Sequence, residues 1–130
     1  MHKVLIIDDD EGMRSMLMQM MEREGIESIA AQDGKQGLQC IDSFLPDLII
    51  TDIIMPEKEG LETVMEIRRK HPEIQIIAIS GGGKAGPESY LPSAKHFGAR
   101  YTFQKPLNRK TFLDAVRECL DPGVPGQEQE

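Results

Sequence analysis

The sequence predicts an α/β fold in which a doubly wound, five-stranded parallel sheet is covered by helices on both faces. Five short apolar runs alternate along the chain with longer amphipathic stretches, and three of the runs are nearly continuous in Val, Ile and Leu. Such continuous runs suit strands that are buried on both faces, and strict alternation with helices requires right-handed crossovers. The chain has 130 residues, which fits one compact domain better than two.

The apolar runs set the positions of the five predicted strands. These strands are predicted at 4–7, 26–31, 48–50, 74–79 and 101–103. The first, third and fourth have the composition of interior strands, because they offer an apolar side chain to both faces of the sheet.

Between the strands, apolar residues recur at the spacing of amphipathic helices. The predicted core faces are Met13, Met16, Leu17, Met20 and Met21 in the first helix, Leu38, Ile41 and Leu45 in the second, Leu61, Val64, Met65 and Arg68 in the third, and Phe112, Val116, Cys119 and Leu120 in the last. A further helix is predicted around 89–97. Met18 lies off the face of the first helix, so we expect it and its exposed neighbours to contact a partner protein.

Composition and charge narrow the class of protein. Hydrophobic residues make up 39% and charged residues 28% of the chain, and 22 acidic against 15 basic residues give a net charge of −7. An acidic domain without a basic helix is repelled by phosphate backbones, so we expect no nucleic-acid partner. No apolar run is long enough for a signal peptide or a membrane span, and a cytoplasmic location is expected. Cys40 and Cys119 lack metal-ligand spacing and are expected to be small apolar residues.

Polar residues follow four of the predicted strands at the point where each strand ends. Three consecutive acids, 8–10, follow the first strand, Asp52 follows the third, Ser80 the fourth and Lys105 the fifth. In an open parallel sheet, ligands bind beyond the carboxyl ends of the strands. We therefore expect the functional site at this edge of the sheet.

The acidic residues at these strand ends predict a magnesium site. Asp10 precedes Glu11 in the position of a helix N-cap. Capping does not account for Asp8 and Asp9, which are candidate metal ligands. If the first and third strands are neighbours, the carboxylate of Asp52 reaches the same cleft. Three carboxylates offer the hard oxygen ligands that Mg²⁺ prefers, and a carboxylate beside such a cation can act as a nucleophile toward phosphorus. Ser80 and Lys105 could then hold the remaining phosphoryl oxygens.

These motifs resemble those of response-regulator receiver domains of two-component signalling, over roughly Lys3 to Leu120. The run 5–10, Leu-Ile-Ile-Asp-Asp-Asp, is similar to the first acidic motif of that family. The run 52–56, Asp-Ile-Ile-Met-Pro, resembles its phosphoacceptor motif, and 105–107, Lys-Pro-Leu, resembles its lysine motif. The resemblance implies a flavodoxin-like (βα)5 receiver fold with strand order 2-1-3-4-5.

The resemblance also implies a role for each site residue. Asp52 would accept a phosphoryl group from a sensor histidine kinase or a histidine phosphotransfer protein, with Ser80 as the switch hydroxyl and Lys105 as the phosphate clamp. The implied Mg²⁺ ligands are Asp8, Asp9, Asp52 and the backbone carbonyl of Ile54. The family's Lys-Pro peptide is typically cis, which would apply to Lys105–Pro106.

Some positions depart from the family pattern. The family's rotating aromatic lies three residues before the lysine, where this chain has Thr102, and strand alternation sends the flanking Tyr101 and Phe103 to the opposite face. Glycine replaces the usual alanine at Gly81, in a segment that is longer than usual. We therefore expect a modified readout through the loop 81–87. Ile54 and Gly82 occupy the positions that tune hydrolysis, and neither can position a water, so slow to moderate self-dephosphorylation is expected.

Several functions remain open from the sequence. The leading expectation is a receiver domain at 1–120 with a flexible acidic tail at 121–130. Such a domain would signal by changing its affinity for an unknown downstream protein. It would not be an enzyme, apart from its own phosphorylation and dephosphorylation. It could instead be a phosphate shuttle or sink, or a receiver cut from a larger protein. Alternatives from other classes are a Mg²⁺-dependent phosphohydrolase with an aspartyl nucleophile and an interaction module that is never phosphorylated.

Overall fold

The computed structural model describes residues 2–53, 59–80, 91–96 and 98–121, and within them the predicted strand–helix alternation is confirmed. The strands are β1 (Lys3–Ile7), β2 (Glu27–Ala31), β3 (Leu48–Asp52), β4 (Gln75–Ser80) and β5 (Tyr101–Gln104). The helices are α1 (Glu11–Arg23), α2 (Gly34–Phe44), α3 (Glu59–Lys70), α4 (Leu91–His96) and α5 (Arg109–Leu120).

All five strands are parallel and lie in the order β2-β1-β3-β4-β5, as expected. The register places the ends of neighbouring strands side by side. Ile7 of β1 is level with Thr51 of β3, and Asp52 is level with Ile79 of β4. Residues that follow β1 and end β3 and β4 therefore meet at one edge of the sheet, where the sequence placed the functional site.

The sheet separates two apolar layers. Alternate side chains of the inner strands, such as Ile6 and Ile50, pack with α1 and α5 on one face. Their neighbours, such as Leu5 and Ile49, pack with α2, α3 and α4 on the other. This double coverage explains why β1, β3 and β4 read as continuous apolar runs in the sequence.

Helix termini follow local capping chemistry. The Asp10 carboxylate accepts a hydrogen bond from the Gly12 amide at 3.0 Å, so the predicted N-cap of α1 is confirmed. Asp33 caps α2 through the Gln36 amide, and Asn108 caps α5 through the Thr111 amide. Each cap satisfies an amide that has no partner within its helix.

Three helical face assignments were wrong. In α2 the core position is Phe44, whereas Leu45 ends the helix at φ 56° and is 66% exposed, because the chain leaves helical geometry there. In α3 Ile67 is buried, whereas Met65 is exposed. In α1, Met16 is 40% exposed. Met18 packs partly against the core, and its contact with a partner protein stays a prediction.

The four predicted apolar positions of α5 are all buried, and they include Cys119. Burial raises the pKa of the Cys119 thiol to about 11, so it behaves as an apolar side chain, as expected. Cys40 is half-buried against the other layer and is also a free thiol. Within the described residues, no helix combines the length and the apolar character that a bilayer crossing demands.

Candidate functional site

The carboxyl edge of the sheet holds a cluster of acidic residues around one lysine. Asp8 leaves the end of β1, and its amide donates to the Ala31 carbonyl at 3.1 Å, which extends the β1–β2 pairing by one residue. Asp52 is the last residue of β3. The structure brings Asp8, Asp9 and Asp52 together, with one carboxylate oxygen of each within 4.8 Å of the others.

Burial separates the members of this cluster. Asp8 is 1% and Asp52 4% exposed, whereas Asp9 faces solvent. The carboxylates of Asp8 and Asp52 are therefore shielded from water, and the carboxylate of Asp9 is accessible to it. A cation entering the cleft would meet Asp9 first and would then contact two carboxylates that are already positioned by the strands.

Lys105 balances the two buried carboxylates. Its Nζ lies 3.3 Å from Oδ2 of Asp8 and 3.5 Å from Oδ2 of Asp52. The Lys105 amide donates to the Ser80 carbonyl at 2.9 Å, so the residue after β5 is fixed to the end of β4. The Lys105–Pro106 peptide is cis, as the resemblance implied.

The pKa values of Asp8 and Lys105 record this environment. Burial raises the pKa of Asp8 and the nearby Asp9 charge adds to the effect, although a hydrogen bond from the Asp10 amide and the Lys105 charge oppose it. Burial lowers the pKa of Lys105, but the carboxylates of Asp52 and Asp8 outweigh it, so the pKa of Lys105 lies above its usual value. The cluster therefore disfavours negative charge at Asp8 and favours positive charge at Lys105.

Negative charge is concentrated at this site. Within the described residues, the carboxylates of Asp8, Asp9 and Asp52 lie together, Lys105 contacts Asp8 and Asp52, and the largest influence on the pKa of Asp8 is desolvation. Hard oxygen donors at this spacing are the ligands that Mg²⁺ takes in proteins, so the residues present fit that ion. The expected fourth ligand, the carbonyl of Ile54, lies outside the described residues.

Ser80 joins the same edge of the sheet. It ends β4, is fully buried, and lies in register with Gln104, one residue before Lys105. Ser80 is thus fixed between the ends of β3 and β5, at the same edge of the sheet as Asp52. The glycine run after Ser80 and the loop 81–87 lie outside the described residues.

Two contacts at the site were not anticipated from the sequence. Arg14 of α1 donates from Nη1 to the Asp8 carbonyl at 2.8 Å, and the buried Thr51 hydroxyl donates to the Asp52 carbonyl at 3.1 Å. Both hold the backbone beneath the acidic residues. The position of Arg14 in the first turns of α1, shortly after the three acids, could have suggested that it lies near them. Only the folded structure shows that it contacts the Asp8 carbonyl.

The strand β5 carries its aromatic residues on the face predicted for them. Tyr101 and Phe103 both pack against the layer formed by α1 and α5, and the Phe103 ring lies 5.4 Å from that of Phe112 at an interplanar angle of 75°. The Tyr101 hydroxyl donates to Glu118 of α5. Thr102, between them, occupies the family's aromatic position with a short side chain.

Comparisons with known proteins identify the family. The response regulator receiver domain family matches residues 4–117, and the chain belongs to this family. It is 32% identical over 128 residues to the transcriptional regulatory protein CpxR of Escherichia coli K12, covering 92% of this chain and 50% of CpxR. The chain thus spans about half the length of that curated relative.

Two further relatives match along most of their length. The chemotaxis protein CheY of Bacillus subtilis is 31% identical, with 92% of this chain and 98% of CheY covered. The structure of the response regulator TrrA of Thermotoga maritima, in complex with Mg²⁺ and BeF, superposes with a TM-score of 0.80 at 29% identity, covering 92% of this chain and all of TrrA. The fold and the acidic cluster are therefore those of a receiver domain of two-component signalling.

Proposed function

We propose that Asp52 is the phosphoacceptor of this receiver domain and that phosphorylation changes its affinity for a protein partner. The observation that carries the proposal is that Asp8, Asp9 and Asp52 meet at the ends of adjacent strands, with Lys105 in contact with Asp8 and Asp52. Receiver domains as a class interact with histidine kinases and with downstream effectors, and the donor proposed here is the phosphohistidine of a sensor kinase or a phosphotransfer protein.

The proposed reaction is a phosphoryl transfer between side chains. A carboxylate oxygen of Asp52 forms a bond to phosphorus as the bond from phosphorus to the donor's imidazole nitrogen breaks, and the imidazole leaves with the bonding electron pair. Lys105 already lies 3.5 Å from Asp52 and can pair with a phosphoryl oxygen as a point charge. The Ser80 hydroxyl can donate to another oxygen, which would couple phosphorylation to the end of β4.

Magnesium fits the same site. Asp8, Asp9 and Asp52 would hold it, with the Ile54 carbonyl as the further ligand implied by the family. When bound, the ion supplies positive charge that offsets the carboxylates and the phosphoryl oxygens. The Mg²⁺ complex of TrrA supports this assignment.

The donor protein is proposed to dock on a groove between α1 and the segment 105–109. The groove has a volume of about 390 Å³, and its lining residues are Met13, Met16, Met20, Lys105, Pro106, Leu107 and Arg109. Because Lys105 belongs to both the groove and the acidic cluster, a protein seated here can bring its histidine to Asp52. Among the described residues that line it, Lys105 and Arg109 are cations and the others are apolar, which favours an apolar helix face flanked by acidic residues.

The experiment that tests the phosphoacceptor uses a small phosphodonor. The protein is incubated with acetyl phosphate and Mg²⁺, beside Asp52→Asn and Asp47→Asn. Asp47 precedes the other end of the same strand and is exposed, so it is a matched control. We expect a hydroxylamine-labile phosphoryl group on the unmodified protein and on Asp47→Asn, and none on Asp52→Asn. Equal labelling of all three proteins would contradict the assignment, and multiple-turnover release of phosphate would favour a phosphohydrolase.

A further inference from the structure

The groove beside the phosphorylation site presents an accessible thioether. Met16 is 40% exposed, whereas Met20 is 6% exposed and Met21 is fully buried on the same helix. The other apolar residues that line the groove are Met13 and Met20 of α1, Pro106 and Leu107. Of the three methionines that line the groove, Met13 is half-buried and Met20 is buried, so Met16 is the one whose sulfur is most open to solvent and to a docked protein.

A methionine at this position can be modified by peroxide. The thioether sulfur attacks one oxygen of hydrogen peroxide, a sulfur–oxygen bond forms, the oxygen–oxygen bond breaks, and water leaves. The sulfur is oxidised by two electrons and the peroxide is reduced. The product, methionine sulfoxide, is polar, and methionine sulfoxide reductases can return it to the thioether.

We propose that Met16 is a peroxide-sensitive modification site that regulates docking of the phosphoryl donor; this rests on the proposed function of the groove and of Asp52. Methionine suits a docking surface because its side chain is flexible and polarizable and adapts to an apolar partner. Its sulfoxide carries a strong acceptor that would be buried against apolar side chains of the partner without a hydrogen bond. Such burial weakens the complex, while the acidic cluster itself is unchanged.

The chain contains an internal control for this proposal. Met65 is 43% exposed, close to the value for Met16, but it lies on α3, which packs on the opposite face of the sheet. Peroxide should oxidise both residues at similar rates. Only the oxidation of Met16 should affect a partner that docks on the groove.

The test compares two phosphodonors before and after mild oxidation. Met16→Leu and Met65→Leu are made separately in the otherwise unchanged protein, so that the effect of Met16 is the difference between the parent and Met16→Leu. The peroxide dose is chosen by peptide mass spectrometry so that Met16 and Met65 are oxidised and the more buried Met13, Met18, Met20 and Met21 are not. Phosphorylation is then followed with acetyl phosphate and with the phosphorylated catalytic region of a histidine kinase that labels the untreated protein.

We expect oxidation to slow transfer from the kinase by about tenfold, the order of effect for one polar group buried without a partner. Met16→Leu should abolish this sensitivity, Met65→Leu should retain it, and a sulfoxide reductase should reverse it. Labelling by acetyl phosphate should be unchanged throughout. The proposal is overturned if Met16→Leu remains as sensitive as the parent, or if oxidation slows both donors equally. Failure of the untreated protein to accept phosphate from acetyl phosphate would instead refute the proposed role of Asp52.

Discussion

The two ends of the parallel sheet carry charged residues in opposite environments. At the amino end, His2 and Asp121 lie 3.2 Å apart with side chains 41% and 57% exposed. At the carboxyl end, Lys105 approaches Asp8 and Asp52, whose side chains are 1% and 5% exposed. The amino end therefore holds its polar pair in solvent, and the carboxyl end holds its ion pairs almost entirely within the protein.

This difference separates a surface contact of little energetic weight from a buried cluster whose charges are costly to the fold. An exposed pair gains little, because water and salt screen it. Burying a cluster with more acids than bases has a desolvation free energy that the contacts within the cluster offset only in part. Burial is also the main reason that the pKa of Asp8 is raised. A carboxyl group whose pKa is perturbed by burial, lying in a cleft with other acids, is typical of functional sites, and Asp8 at the carboxyl end fits this description.

The largest effect is expected when the lysine of the carboxyl end is removed. Lys105→Ala leaves Asp8 and Asp52 buried without their shared cation, and we expect the free energy of unfolding in Mg²⁺-free buffer to fall by about 2 kcal/mol. This is below the full cost of breaking a buried pair, because the Lys105 side chain is 21% exposed. Urea denaturation followed by circular dichroism measures the change.

A lysine at the other end of the sheet provides the control. Lys3 donates from Nζ to the Phe44 carbonyl at 3.3 Å, and its Nζ lies 5.4 Å from the centroid of the Phe44 ring. Lys3→Ala therefore also removes a cation that contacts the rest of the protein. We expect it to cost about 0.5 to 1 kcal/mol, because Lys3 is half-buried and its contacts are to a carbonyl and a ring rather than to buried carboxylates. Added Mg²⁺ should reduce the deficit of Lys105→Ala and leave that of Lys3→Ala unchanged. Equal losses for the two variants would remove the distinction between the ends.

The contrast also shows what the sequence could and could not predict. Strand identity and order followed from apolar runs and family motifs, because strands buried on both faces leave a strong sequence signal. The predicted strand ends were then enough to place four residues at one edge of the sheet from the sequence alone: Asp8, Asp52, Ser80 and Lys105. This worked because parallel strands share a direction, so their carboxyl ends meet.

The helical faces were less predictable for a physical reason. Spacing along a helix shows which side is apolar, but it does not show whether a neighbour covers each position. Met16 lies on the predicted stripe of α1 and is nevertheless exposed, because the groove toward Leu107 remains open there. Leu45 also fits the periodicity, but the helix ends before it. Tertiary packing decided both positions.

A smaller effect of opposite sign is expected when one buried acid is neutralised. Because burial raises the pKa of Asp8, the Asp8 carboxylate is less well stabilised in the folded protein than in the unfolded chain, and Asp8→Asn should stabilise the Mg²⁺-free protein by about 1 kcal/mol. The amide oxygen can still accept the Asp10 amide, which now donates to Asp8 at 2.9 Å. Thermal unfolding in a chelating buffer measures the gain.

Asp9→Asn is the matched control, since it removes a carboxylate of the same cluster that faces solvent. Its stability without Mg²⁺ should change by less than about 0.5 kcal/mol. Both variants should lose most of the stabilisation that Mg²⁺ gives the parent protein through binding to its folded state. A destabilised Asp8→Asn would show that its ion pair with Lys105 outweighs the cost of burial, and our account of the carboxyl end would then be wrong.

The smallest effect is expected at the amino end. Asp121→Asn removes the acid opposite His2, and because both side chains are largely exposed we expect a loss below about 0.5 kcal/mol. The Asp121 amide also donates to the Arg117 carbonyl at the end of α5, a backbone contact that the substitution retains. Urea denaturation at low and high salt checks this, since any contribution from the pair should vanish as salt is added. A loss comparable with that of Lys105→Ala would mean that exposure does not separate the two ends of the sheet, and that the buried cluster is no more costly than an ordinary surface pair.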